Sequence, residues 1–184
     1  MMNIEIERRF LVRVKAWVAA AQDAVREDIV QAYLACDRER TARIRLYHDR
    51  AVLTVKGPSV DGARTEIECD VAVDAARAIL DSRLHAGVSI AKTRSTFRSG
   101  GLTWEVDQFE GENAGLVITE VELGDSSRSR AEWEARVDRE RPGWLGREIT
   151  GEPRFSNGAL AMRPFATWSD GERDDIMREI EAAS

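Results

Sequence analysis

Charged residues recur along this 184-residue chain two positions apart: Glu5/Glu7, Arg43/Arg45, Arg64/Glu66/Glu68, Lys92/Arg94, Glu105/Asp107 and Glu120/Glu122. A spacing of i, i+2 puts the members of each group on one face of a β-strand. Two carboxylates one strand repeat apart stand roughly 6 to 7 Å apart at Cβ. That is close enough to share a divalent cation, and the two repel without one. Arginine forks and lysine ammonium groups suit phosphate oxygens. Rows of acid beside rows of Arg and Lys are therefore chemistry for a polyanion held together with divalent cations.

A solvated sheet face would account for any single pair. The set as a whole is different, because the signs are sorted strand by strand: acidic at the first strand and at the one ending near Leu123, basic on several between. Closing such a sheet into a barrel would turn every charged face toward a common lumen and leave the apolar faces to be covered by helices.

The elements that must position these residues follow from periodicity. Strands are expected over Ile4–Phe10, Ile29–Ala35, Thr41–Leu46, Ala51–Lys56, Arg64–Asp70, Val88–Arg98, Leu102–Phe109 and Leu116–Leu123. Ser99-Gly100-Gly101 reads as a hairpin turn. A helix is expected over Lys15–Arg26, with Trp17, Ala20, Ala21, Ala24 and Val25 as its apolar stripe, and another to about Leu84, capped by Asp74. Ser129 with Glu132 and Ser169 with Glu172 have capping-box spacing for two more helices, and Asn157–Met162 reads as a short one. Trp144–Arg154 reads as irregular. With no βαβ alternation, the fold class expected is α+β, mainly antiparallel β, with helices attached. Residues 1–165 are expected to form one domain and 166–184 a helical extension packed on it.

Composition narrows the function. A net charge of −6 argues against coating nucleic acid or anionic membrane. From Arg38 to Arg98, however, 12 Lys or Arg stand against 8 Asp or Glu, so positive charge gathers in the strand-rich middle. Only Lys15, Lys56 and Lys92 among the 27 basic residues are lysines. A lysine kept within a strand, as at 56 and 92, points to a need for a compact ammonium group. No apolar run approaches a membrane span and no leader precedes the first strand, so the expected setting is soluble and cytoplasmic. Cys36 and Cys69 are too few for a zinc site or disulfide framework and read as buried or idle thiols. His48 and His85, the two histidines, do not support a serine–histidine relay. Neither Gly-rich phosphate-binding motif is present. The five tryptophans are scattered and read as core rather than as a base-stacking platform.

The ordered set of motifs resembles the CYTH or triphosphate tunnel metalloenzyme superfamily. Glu5-Ile-Glu7-Arg-Arg9 is similar to its Glu-x-Glu-x-Lys signature. Gln31-Ala-Tyr33-Leu34, Arg43-Ile-Arg45, Leu53-Thr-Val-Lys56-Gly57, Arg64-Thr-Glu66-Ile-Glu68, Lys92-Thr-Arg94, Trp104-Glu-Val-Asp107, Glu120-Val-Glu122 and Glu148-Ile-Thr-Gly-Glu-Pro-Arg154-Phe-Ser-Asn157 follow in order. The resemblance implies an eight-stranded closed tunnel binding small triphosphate compounds with Mg²⁺ or Mn²⁺. It implies Glu5, Glu7, Glu120 and Glu122 as metal carboxylates. Arg43, Arg45, Lys56, Arg64, Lys92, Arg94 and Arg154 would hold phosphate, with Glu66, Glu68 and Asp107 as supporting acids. Arg9 and Tyr33, with Glu122, would act at the reacting centre. Arg9 departs from the family lysine, keeping the charge while being unable to hand over a proton readily. Hydrolysis of inorganic triphosphate is the implied activity. Adenylate cyclase, thiamine or nucleoside triphosphatase, and a non-catalytic polyphosphate-binding module are its alternatives. The expected assembly is a monomer or homodimer without nucleic-acid or membrane partners.

Overall fold

The computed structural model describes residues 7–21, 23–37, 39–60, 63–122 and 129–182, with the side chains of 59, 60, 63, 64, 122 and 130 outside that description. Among these residues nine strands form one antiparallel sheet: β1 (Glu7–Val12), β2 (Val25–Cys36), β3 (Thr41–Leu46), β4 (Ala51–Val60), β5 (Ala63–Val71), β6 (Ala86–Ser99), β7 (Leu102–Phe109), β8 (Val117–Glu122) and β9 (Leu145–Glu148). Their order across the sheet is β5-β4-β3-β2-β6-β7-β8-β1-β9. Five α-helices among the described residues accompany it: α1 (Val14–Ala20), α2 (Val73–Ser82), α3 (Arg130–Arg139), α4 (Asn157–Met162) and α5 (Asp170–Glu181).

The expected α+β class with a dominant antiparallel sheet is what forms. Two details of the barrel expectation differ. A ninth strand, β9, lies where the sequence reads as irregular, and it pairs with the outer side of β1. Among the described residues the sheet is not closed by hydrogen bonds, and β5 and β9 are its edges.

Alternation sorts the two faces. On β7, Trp104 and Val106 enter the main apolar core, while Glu105 and Asp107 point the other way. On β2, Ala32 joins a second, smaller core with Ile44, Ala51 and Ala76 of α2, while Gln31 and Tyr33 lie on the opposite face. The main core is centred on an aromatic group in which Trp17 and Trp144 stand 5.1 Å apart and Trp104 and Trp144 stand 5.4 Å apart, centroid to centroid. The tryptophans thus serve packing, as their scatter predicts.

Some boundaries shift. The helix expected over Lys15–Arg26 stops at Ala20, because Val25 and the residues after it are drawn into β2, which pairs with both β3 and β6. Ala72, not Asp74, is the N-cap of α2; Asp74 sits in its first turn. Both capping boxes, Ser129/Glu132 and Ser169/Glu172, are present. The β6–β7 hairpin turns on Gly100 and Gly101 with φ of 61° and 69°, the two positive values that a type I′ turn requires. Cys36 and Cys69 are exposed rather than buried. At the start of β6, Gly87 has φ +65° and lies so close to α4 that a Cβ would fall 2.2 Å from the Ala161 carbonyl oxygen. That approach docks α4 onto the sheet. Among the described residues no helix is long and apolar enough to cross a membrane.

Candidate active site

The charged face is assembled by strand register. Along β6, β7, β8 and β1, Arg94 stands opposite Asp107, Glu105 opposite Glu120, and Glu120 opposite Arg9. Side chains at these positions interlock. Lys92 Nζ donates to Asp107 Oδ2 at 2.5 Å, and Arg94 donates to both oxygens of Asp107 at 2.7 Å. Arg94 also pairs with Glu105 and lies 3.6 Å from Glu120. Arg9 Nε sits 3.2 Å from Glu7 and 4.0 Å from Glu120. Burial alone would raise the Asp107 pKa, but the Lys92 charge and the Arg94 hydrogen bonds outweigh it and hold the carboxyl well below the usual range. Burial, aided by the like charges of Arg94 and Arg45, pushes the Lys92 ammonium down despite Asp107. Lys92 Nζ also lies 3.4 Å from Asn157 Oδ1, which ties α4 to the site.

The other half, on β2 to β5, is richer in cations. Arg43 and Arg45 project from β3 beside Tyr33 and Gln31, their register partners on β2. Arg45 Nε donates to Gln31 Oε1 at 3.0 Å and its Nη1 to the Tyr47 hydroxyl at 3.2 Å. Among the described residues neither arginine forms an ion pair, and Arg43 Nε is buried without a hydrogen-bond partner. Burial first, then the adjacent Arg45 charge, lowers the Arg43 pKa. Tyr33 is pushed up by burial, against the pull of Arg43, so its phenol keeps its proton at neutral pH. Farther out, Lys56 Nζ lies 2.8 Å from Glu66, and Thr54 donates to Glu68 at 2.7 Å.

The structure therefore gathers Glu7, Arg9, Arg43, Arg45, Lys56, Glu66, Glu68, Lys92, Arg94, Asp107 and Glu120 on one face, with Tyr33. Arg9 and Tyr33 belong to different groups on it: Arg9 to Glu7 and Glu120, Tyr33 to Arg43. Arg154 stands apart, on a short turn, 3.3 Å from Glu152 and 3.6 Å from Glu172, with its guanidinium over the rings of Phe155 and Trp168. Glu5 lies outside the described residues, as do the side chains of Arg64 and Glu122. Sequence reasoning assigned no role to Gln31, Asn157 or Thr54, and gave Glu105 none beyond its place in the charged row with Asp107. Gln31 and Asn157 lie in motifs read for other residues, where nothing in the order of residues tells a buried amide from a solvated one.

The donors between β1, β7 and β8 are carboxylate oxygens, without His or Cys among them. That is a hard set of the kind Mg²⁺, Mn²⁺ or Ca²⁺ takes, and not a zinc set. Among the described residues no three acids, histidines or cysteines converge as a finished cage. Glu7 stands opposite Glu122 by register.

The CYTH domain matches residues 3–155, which takes in every strand of the sheet. The chain belongs to the CYTH domain family. An inorganic triphosphatase of Acetivibrio thermocellus is 37% identical to this CYTH protein over 169 residues, spanning 92% of this chain and all of the relative. The solved structure of the inorganic triphosphatase NE1496 superposes with a TM-score of 0.61 at 26% identity, covering 88% of this chain and 96% of that one. A candidate adenylyl cyclase from Hippeastrum, described as having a dominant triphosphatase activity, shares the CYTH fold at 14% identity and a TM-score of 0.53 over 73% of this chain and 86% of that one.

Proposed function

We propose that this CYTH protein hydrolyses inorganic triphosphate with the help of a divalent cation, Mg²⁺ or Mn²⁺. The observation that carries the reading is the Arg43–Arg45 pair: two partly enclosed cations on one strand, neither in a contact ion pair among the described residues, with Glu66 acting on Arg43 only through its charge. Like charges at that separation cost energy unless an anion lies between them. An extended, highly charged chain of phosphates answers that need and reaches on to Lys92, Arg94 and Lys56. The relatives that are inorganic triphosphatases support the same substrate.

In this reading Arg43, Arg45 and Lys56 hold one end of the triphosphate, with Arg64 added from β5. Lys92 and Arg94, fixed by Asp107, hold the middle. Glu7 and Glu120, with Glu5 and Glu122, would hold the cation. When bound, such an ion offsets phosphate charge and makes a coordinated water acidic. Arg9 supplies charge beside these acids and binds rather than relays a proton. Tyr33, protonated at neutral pH, orients Arg43. Arg154, held by Glu152 and by Glu172 of α5, would add a further cation by exchanging these acids for phosphate. Approach of β5 toward β9 would close the sheet into the tunnel around the ligand.

The test is phosphate release from inorganic triphosphate, ATP and thiamine triphosphate, each with Mg²⁺ and with Mn²⁺. Release from inorganic triphosphate should dominate and should vanish in Glu7→Gln and Glu122→Gln, while Arg9→Lys should stay within a few-fold of the parent. Cyclic AMP formed from ATP would replace this reading with a cyclase. Metal-dependent binding of triphosphate without turnover would leave a binding module.

A further inference from the structure

We propose that Gln31 is a substrate-contacting residue whose side-chain amide donates to a phosphate oxygen between Arg43 and Arg45. The inference rests on the triphosphate reading above and adds to it a neutral ligand that the charge pattern of the sequence does not reveal.

The orientation of the amide follows from chemistry. Gln31 is fully enclosed, and Arg45 Nε points at one of its terminal atoms from 3.0 Å. A guanidinium has only donors, so the atom facing it must be the oxygen. The amide nitrogen is thereby turned away from Arg45, and it has no hydrogen-bond partner. The neighbours that β3 presents across the register are Arg45 and, one repeat further, Arg43, which also offer donors only. Among the described residues five buried side-chain nitrogens lack a hydrogen-bond partner, and two of them, Gln31 Nε2 and Arg43 Nε, belong to neighbouring strands of the charged face. A buried donor left unmade is costly, and an acceptor brought in from outside would relieve both. Gln31 would then perform two tasks with one side chain: its oxygen fixes the Arg45 fork, and its nitrogen takes the anion.

Two variants separate this from a purely structural role. In Gln31→Glu the shape is kept and the contact to Arg45 becomes an ion pair, so the fold is retained and Tm is equal or higher. The new carboxylate, however, faces phosphate in place of a donor. In Gln31→Met both hydrogen bonds are lost without added charge. Calorimetric titration with inorganic triphosphate, paired with thermal melts, reads both. The expected result is a Kd raised at least 100-fold in Gln31→Glu and about 10-fold in Gln31→Met. A structural role alone predicts the reverse order, with Gln31→Glu binding like the parent and Gln31→Met weakened only as far as it is destabilised. That order, or equal Kd values in all three proteins, overturns the inference while leaving the triphosphate reading intact. A parent protein that binds no triphosphate overturns both.

Discussion

Asp107 holds Lys92 and Arg94 at once from a position that is 3% exposed. Breaking a buried pair by removing one partner typically costs about 3 to 5 kcal/mol, because the stranded charges stay buried. Asp107→Asn should therefore lose about that much stability in urea unfolding, and a loss below about 1 kcal/mol would mean that the two cations find other partners. The pH dependence follows from the same contacts. Because the folded carboxyl titrates below its unfolded value of about 4, its contribution is complete above that pH. It then declines as the pH falls through the lower folded value, so the parent should lose stability below about pH 4 more steeply than Asp107→Asn does. At this scale the sequence was informative about sign and face: the i, i+2 rows place Glu7, Arg43, Arg45, Lys92, Arg94, Asp107 and Glu120 together. It was silent on pairing. Which acid neutralises which base depends on register between strands far apart in the chain, as with Arg9 and Glu120.

Elements were legible where local chemistry decides and obscure where pairing does. The capping boxes of α3 and α5 are fixed by residues three apart, and both form as read. The extent of α1 and the existence of β9 are not local. Apolar spacing continues past Ala20, yet a long β2 able to pair on both sides claims Val25 onward. β9 is only four residues and is defined by β1 offering it an edge. Gly87 shows how strictly two elements can meet. Alanine there would have to adopt a left-handed backbone, costing about 1 to 3 kcal/mol, and would collide with the Ala161 carbonyl. Gly87→Ala should lower stability by at least that amount, and by displacing α4 it should also release Asn157 from Lys92. Equilibrium unfolding checks the first effect. A weaker affinity for inorganic triphosphate at unchanged metal affinity checks the second.

Across the whole molecule, α5 is bound into the main core through Ile176 and Ile180, each 2% exposed. Ile176→Ala should cost about 2 to 5 kcal/mol as a core truncation, measured by denaturant midpoint. An effect near zero would make the helix a detachable appendage. That the charged faces share one side of one sheet was legible from the sequence. Whether the sheet's ends meet was not, since closure depends on twist and tilt accumulated over nine strands rather than on any motif. The ends that result, β5 and β9, carry a consequence for how copies of the protein behave toward one another. An unpaired strand edge is a template for a neighbour's strand, and β5 adds an apolar invitation in Ile67, which is 62% exposed. Glu66, Glu68 and Asp70 line the same strand. At neutral pH an approaching copy meets its own row of acids, and like charge keeps the two edges from zipping together. On this account the same carboxylates would keep copies apart at neutral pH, and strong acid, by neutralising them, would remove that guard.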